Sequence, residues 1–239
     1  MEKRQRYLVR VWLADRPGAL GAVASRFGAL RGDVIGLEII ERGGGQAIDD
    51  LVVSLPADLP IDFIVREVSA EGDVEIEDIR PMEGTTYDPQ LDVLEAAAIL
   101  LGAETRDDLA AALAEHVCRG VRADWACVTE SDGAILGAVG DHPNRRWLAS
   151  FLSGSPAIGP TDDAADPTAD DWPPMDAVWV PLPAAAAALV VGRDGPFRAR
   201  ERQRLAALAR IADAWFRRMK ERSDWEAFAL HPSRDHTDR

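Results

Sequence analysis

Cysteine is nearly absent. Cys118 and Cys127 are the only two, and they form no C-x-x-C pair, which speaks against a zinc site, a redox motif or a disulfide framework. Both fall in apolar patterns and are expected to be buried thiols. Histidine is almost as scarce. His116, His142, His231 and His236 do not stand at metal-ligand spacing from one another or from a cysteine, so no metal is expected. Positive charge is also short: 27 Lys and Arg face 41 Asp and Glu, a net charge of −14. A chain this acidic lacks the basic surface that nucleic acid or an anionic membrane demands. No apolar run is long enough to span a bilayer. No G-x-S-x-G elbow, P-loop or G-x-G-x-x-G fingerprint occurs, and no cofactor is expected. The composition predicts a well-solvated, cytoplasmic, non-enzymatic protein.

What is present is clear periodicity. Tyr7, Val9, Val11 and Leu13 alternate as a strand. Asp15-Arg16-Pro17-Gly18 is a turn, with Pro17 suited to the first helical turn. Leu20, Val23, Ala24, Phe27 and Leu30 recur at helical spacing, and Gly32 is placed to end the helix. Strands follow at 34–40 and 47–55, a short helix at 61–68 and a strand at 73–79. The order β-α-β-β-α-β is that of a ferredoxin-like unit. The sheet face opposite the helices is expected to carry Leu8, Trp12, Val34 and Ile40, an apolar face that invites a partner.

Residues 82–89 read as a linker. Beyond it come two helical patterns (91–101 and 107–117), a hairpin (123–129 with 134–139), a short helix (145–152), a Gly/Pro/Asp-rich mobile loop (154–174), two strands (177–182 and 185–192) and a long helix over 198–219. Residues 223–239 read as a flexible tail. The loop acids Asp162, Asp163, Asp166, Asp170 and Asp171 lack the spacing of an EF-hand loop. On the long helix, Arg198, Arg200, Arg202, Arg204, Arg210, Arg217 and Arg218 form the one basic stripe, read as a solvated face or a dock for an acidic partner.

The turn Asp15-Arg16-Pro17-Gly18-Ala19-Leu20 stands between a strand and a helix. The N-terminus of that helix favours a carboxylate, Gly18 permits close approach, and Asp15 offers an acceptor to an α-ammonium group. Strand, D-x-P-G-x-L turn, helix, then Gly32-Asp33-Val34-Ile35 and strand resembles the ACT domain over residues 1–81. That resemblance implies an amino-acid site at Asp15, Pro17, Gly18, Ala19, Leu20, Asp33, Val34 and Ile35, often shared across a subunit interface. Asp33 stands where the family has Asn, which favours a ligand presenting an amine or hydroxyl there. The alternative is that Asp15 caps a helix, Gly18 only turns the chain, and the domain dimerises without ligand.

Residues 90–222 resemble a GAF-like or PAS-like α+β domain, chiefly through Leu189-Val190-Val191-Gly192-Arg193, Phe197, Glu201, Leu205 and Leu208. That resemblance implies a pocket near 145–175, with Arg145, Arg146 and Trp147 either lining it or lying on the surface of a short helix. The expected whole is an α+β regulatory protein. It is expected to bind a small ligand, an amino acid, and to signal it to a protein partner by homodimer or higher homo-oligomer formation or by domain rearrangement. The alternative is an interaction scaffold without ligand.

Overall fold

The structure, a computed structural model, describes residues 3–70, 74–82, 89–155 and 175–230. The chain is α+β and divides into two compact units, Met1–Asp88 and Pro89–Arg239. Each contains a four-stranded antiparallel sheet. No helix among the described residues is long and apolar enough to cross a membrane.

The first unit runs β1 (Arg4–Ala14), α1 (Ala19–Ala29), β2 (Asp33–Gly43), β3 (Gln46–Pro56), α2 (Ile61–Val68), β4 (Val74–Met82), with sheet order β2-β3-β1-β4. The β-α-β-β-α-β order matches the sequence expectation. Alternation on β1 turns Tyr7, Val9, Val11 and Leu13 to one face. There they meet Val23 and Phe27 of α1 and Ile64 and Val68 of α2. Both helices therefore cover the same side of the sheet. Burying residues such as Phe27, Leu51, Leu55 and Ile64 completely contributes about 1.5–3 kcal/mol each.

Three local readings need correction. Pro17 precedes the helix and does not open its first turn, because α1 starts at Ala19. Arg31, with φ 59°, takes the left-handed position at the end of α1, where Gly32 was expected to stop the helix. Val34 packs into the helix-side core, not on the Trp12 face. A register shift between Val34 and Gly36 leaves Ile35 out of the ladder and moves Val34 opposite Val53. A second shift lies between Ile39 and Glu41.

The face opposite the helices is also less apolar than expected. Arg10 stands opposite Asp50 on β3 and donates two hydrogen bonds to it, Nε to Oδ1 at 2.8 Å and Nη2 to Oδ2 at 3.0 Å, both side chains buried. Trp12 donates its Nε1–H to Glu77.

The second unit runs α3 (Pro89–Gly102), α4 (Arg106–Gly120), β5 (Trp125–Glu130), β6 (Ile135–Gly140), α5 (Arg145–Gly154), β7 (Met175–Leu182), β8 (Ala187–Asp194) and α6 (Ala199–Leu230), with sheet order β6-β5-β8-β7. Helices α3, α4 and α6 bury Leu100, Leu113, Leu205 and Phe216 against one sheet face. Leu148 of α5 joins Trp125, Cys127 and Val190 on the other. Thr105 caps α4, accepting from Asp108 N–H at 3.1 Å, and Asn144 caps α5, accepting from Trp147 N–H at 3.0 Å. Helix α6 continues to Leu230, so residues 223–230 are helical and not part of a flexible tail. Of the linker expected at 82–89, Met82 ends β4 and Pro89 opens α3; residues 83–88, 156–174 of the expected loop with its acids, and 231–239 of the expected tail with His231 and His236 lie outside the described residues.

Candidate functional site

The end of β1 and the hairpin between β2 and β3 meet at one edge of the first sheet. Ala14 is opposite Gln46, and Asp15 N–H donates to Gly45 C=O at 2.9 Å. That bond pins the turn onto the hairpin. The chain then reverses through Gly18, whose φ of 89° lies in the left-handed region, where a β-carbon is strained. A β-carbon there would have nothing within 4 Å, so the space over Gly18 is open. Helix α1 begins at the next residue with no side-chain cap and no acidic residue in its first turn. The positive end of its dipole therefore has no anionic side chain of its own helix to answer it.

A cleft of about 360 Å³ opens over this turn, lined by residues 13–18, Leu20, Ile39, Arg42, Ala47 and Asp49. This volume falls at the small end for ligand sites. Asp15, Pro17, Gly18 and Leu20 of the expected site line it. Ala19 is buried in the core beneath. Asp33, Val34 and Ile35 do not line it. They belong to the opposite end of the sheet: Asp33 is opposite Ser54, which is opposite Arg6, whereas the turn end is marked by Gly43, Gln46 and Ala14. Eleven residues of β2 at about 3.3 Å per residue put those ends roughly 30 Å apart. Within one chain the expected site is therefore split.

Sequence reading missed Asp49. The inward row of β3 is Ala47, Asp49, Leu51, Val53 and Leu55, and every member except Asp49 is apolar core. Asp49 is opposite Val11 on one side and Ile39 on the other. Its side chain borders the cleft, the residue is 2% exposed, and Oδ1 has no hydrogen-bond partner in the protein. Burial pushes its carboxyl above the usual value of 3.8. Arg42 opposes this, while Asp50 and Asp15 add to it. Asp15 lies near the cleft mouth, 3.9 Å from Arg42 Nε, with both side chains well exposed (40% and 57%); such a pair is weak in water. The neighbouring Asp50, on the other face, has its charge answered by Arg10. Together the cleft offers an uncapped helix start for an anion, and one shallow and one buried carboxylate for cationic or donor groups.

No protein-family model matches the chain, and no curated protein does. Among solved structures it is similar to an unknown protein from Galdieria sulphuraria, 13% identical, over 92% of this chain and 94% of that chain, with a TM-score of 0.33. A likeness of that size carries no argument about what the chain does.

The other candidates resolve into structural roles. Arg145 donates from Nε to Asp132 C=O at 3.1 Å and also pairs with the Asp132 carboxylate. The Ala134 N–H, opposed by a desolvation contribution and joined by Arg145, holds that carboxyl below its usual range. Trp147 stacks on Phe151 at 4.9 Å and meets Trp125 edge-on at 6.2 Å. The basic stripe on α6 is not continuous: Arg198 is buried, and Arg204 donates to Gly120 C=O at 2.9 Å. Arg198 precedes α6, Arg202 and Arg204 are half-buried, and Arg200, Arg210, Arg217 and Arg218 are exposed. Cys127 is buried, its thiol pushed up to about 12 by burial. Cys118 is half-buried and donates to Ala123 C=O at 3.0 Å. Among the described residues no group of three His, Cys, Asp or Glu side chains gathers as a metal site.

Arg193 was also missed as a structural centre. It is buried, forks onto both carboxylate oxygens of Glu201, donates to Val121 C=O at 2.6 Å, and lies over the Phe197 ring at 4.4 Å. These contacts fasten β8 to the start of α6.

Proposed function

We propose that the first unit is an ACT-like module that binds a free amino acid over Gly18, and that the chain is a non-enzymatic regulator. The supporting observation is that the left-handed Gly18, the uncapped start of α1 and the buried acid Asp49 all border one cleft. The helix start takes the α-carboxylate, and Asp15 near the mouth takes the α-ammonium group. Asp33, Val34 and Ile35, at the far end of the same sheet, reach such a cleft only from a second copy of the chain. Ligand binding then favours a homodimer or a changed relation between units, provided that arrangement binds the ligand more tightly. The second unit, read as GAF-like on its element order, passes the state to a partner.

A second reading, a scaffold that associates without ligand, draws on α3. Its Leu91, Leu94, Ile99 and Leu101 are exposed, Leu94 by 67%.

A thermal-shift screen of the twenty amino acids on the full chain separates the two. A ligand that binds only the native state raises the melting temperature, by an amount equivalent to about 2.7 kcal/mol at one hundred times its Kd. The sensor reading expects at least one amino acid to do so and Gly18→Val to abolish the effect, with circular dichroism of the variant checking that the strain of a β-branched residue at this left-handed φ has not unfolded the unit. No shift with any amino acid favours the scaffold.

A further inference from the structure

Asp49 breaks the apolar row of β3, and its Oδ1 has no hydrogen-bond partner in the protein. A carboxylate removed from water costs stability unless something hydrogen-bonds to it. Asp50, one residue away, shows how this chain treats a structural acid: it is buried against a two-pronged arginine. Asp49 has no such partner for Oδ1 and borders a cleft. Arg42, the cationic group that acts on it, has a side chain 57% exposed to solvent.

The charges around the cleft set the ligand's pattern. The helix start accepts one anionic group. Two carboxylates remain, Asp15 near the mouth, 3.9 Å from the solvent-exposed Arg42, and the buried Asp49; Arg16 also lines the cleft. A simple zwitterion brings one ammonium group and answers one of them. A ligand with a second amine answers both. Leu20 and Ile39 supply apolar wall for the methylenes that join the two ends. The volume of about 360 Å³ restricts the ligand to a compact one.

Building on the reading of this cleft as an amino-acid site, we propose that its ligand is a short diamino acid, with the α-carboxylate over Gly18 and the side-chain amine on Asp49. Asp49 is then the residue that sets specificity.

The test is titration calorimetry on the full chain with lysine, ornithine and norleucine, the last being lysine's carbon chain without the amine. The wild type is expected to bind lysine or ornithine about tenfold or more tightly than norleucine, the worth of one charge-assisted hydrogen bond. Asp49→Asn is expected to bring that ratio close to one by weakening the diamino acids more than norleucine. Equal wild-type affinity for norleucine and the diamino acids overturns the specificity but leaves the amino-acid site standing. A preference that survives Asp49→Asn overturns the assignment to Asp49. If no amino acid binds the wild type, the site itself falls and the specificity with it. The wild-type ratio decides the ligand class even if Asp49→Asn fails to fold.

Discussion

Replacing Asp49 with valine should make the unliganded protein more stable. The side chain sits between Ala47 and Leu51 in an otherwise apolar row and is 2% exposed. Removing a buried acceptor that has no partner relieves about 1–3 kcal/mol. Valine in the same place buries two methyl groups and adds part of the about 1.5–3 kcal/mol of a fully buried aliphatic side chain. The loss is the attraction to Arg42, whose exposed guanidinium makes this worth about 1 kcal/mol or less. The net gain at neutral pH is therefore about 2–4 kcal/mol. For a domain of this size each kcal/mol moves Tm by about 4–8 °C.

The sign of the pH dependence is fixed by the direction of the shift. Burial raises the folded carboxyl of Asp49 above its usual 3.8, so the folded wild type binds a proton more readily than the unfolded chain. Its stability is then lost as pH rises from the ordinary carboxylate range through the raised value. The advantage of Asp49→Val is greatest at neutral pH and narrows on acidification. Hydrogen exchange of residues 3–70 and 74–82 at pH 7 and pH 4.5 reads this unit separately from the second. A variant less stable than wild type at pH 7, or an advantage that grows on acidification, refutes the reasoning.

Gly137→Ala should cost roughly 3 kcal/mol or more, because a β-carbon there runs into the backbone of Ala110 and Ala111 on α4, which cannot yield as a flexible side chain does; an unchanged melting curve would show that β6 and α4 are not so close. Arg193→Met should cost about 3–5 kcal/mol in urea unfolding by leaving Glu201 buried without its cation, and adding Glu201→Leu should recover part of it; a double variant no better than the single would argue against the pair. Cys127, its thiol held up at about 12, should resist iodoacetamide at pH 8 in the native chain and react once denatured, as counted by mass spectrometry.

Much of the architecture was legible because burial imposes a period. The alternation of Tyr7, Val9, Val11 and Leu13 on β1 and the spacing of Val23 and Phe27 on α1 are the inner faces of a two-layer unit, and both can be read without coordinates. Register shifts were not legible. The one at Ile35 moves Val34 to the other face, and nothing in Asp33-Val34-Ile35-Gly36 announces an extra residue. The continuation of α6 past Met219 escaped notice because residues 220–225 are exposed and carry no apolar stripe.

The candidate cleft was half legible. Its turn has a recognisable spacing, and Gly18 has the left-handed conformation such a turn needs. Asp49 was hidden in the pair Asp49-Asp50, where adjacent acids look alike in sequence yet face opposite sides of the sheet. Only the phase of β3, counted from Leu51 and Val53, distinguishes the acid that borders the cleft from the one clasped by Arg10. A charged residue in the inward phase of a strand is the signal that would have found it.

The two interruptions in β2 bear on how these molecules meet one another in concentrated solution. As the outermost strand beside β3, β2 has one row of backbone N–H and C=O groups without a neighbour in its own sheet, and it displays Ile35 and Leu37, each nearly half exposed. A straight, uninterrupted edge of that kind is a template for fibril growth. The offsets at Ile35 and Ile40 break the row into short lengths and twist it, so a foreign strand finds no long stretch in phase. Irregularities that misled the face assignment of Val34 thus also guard against runaway sheet extension.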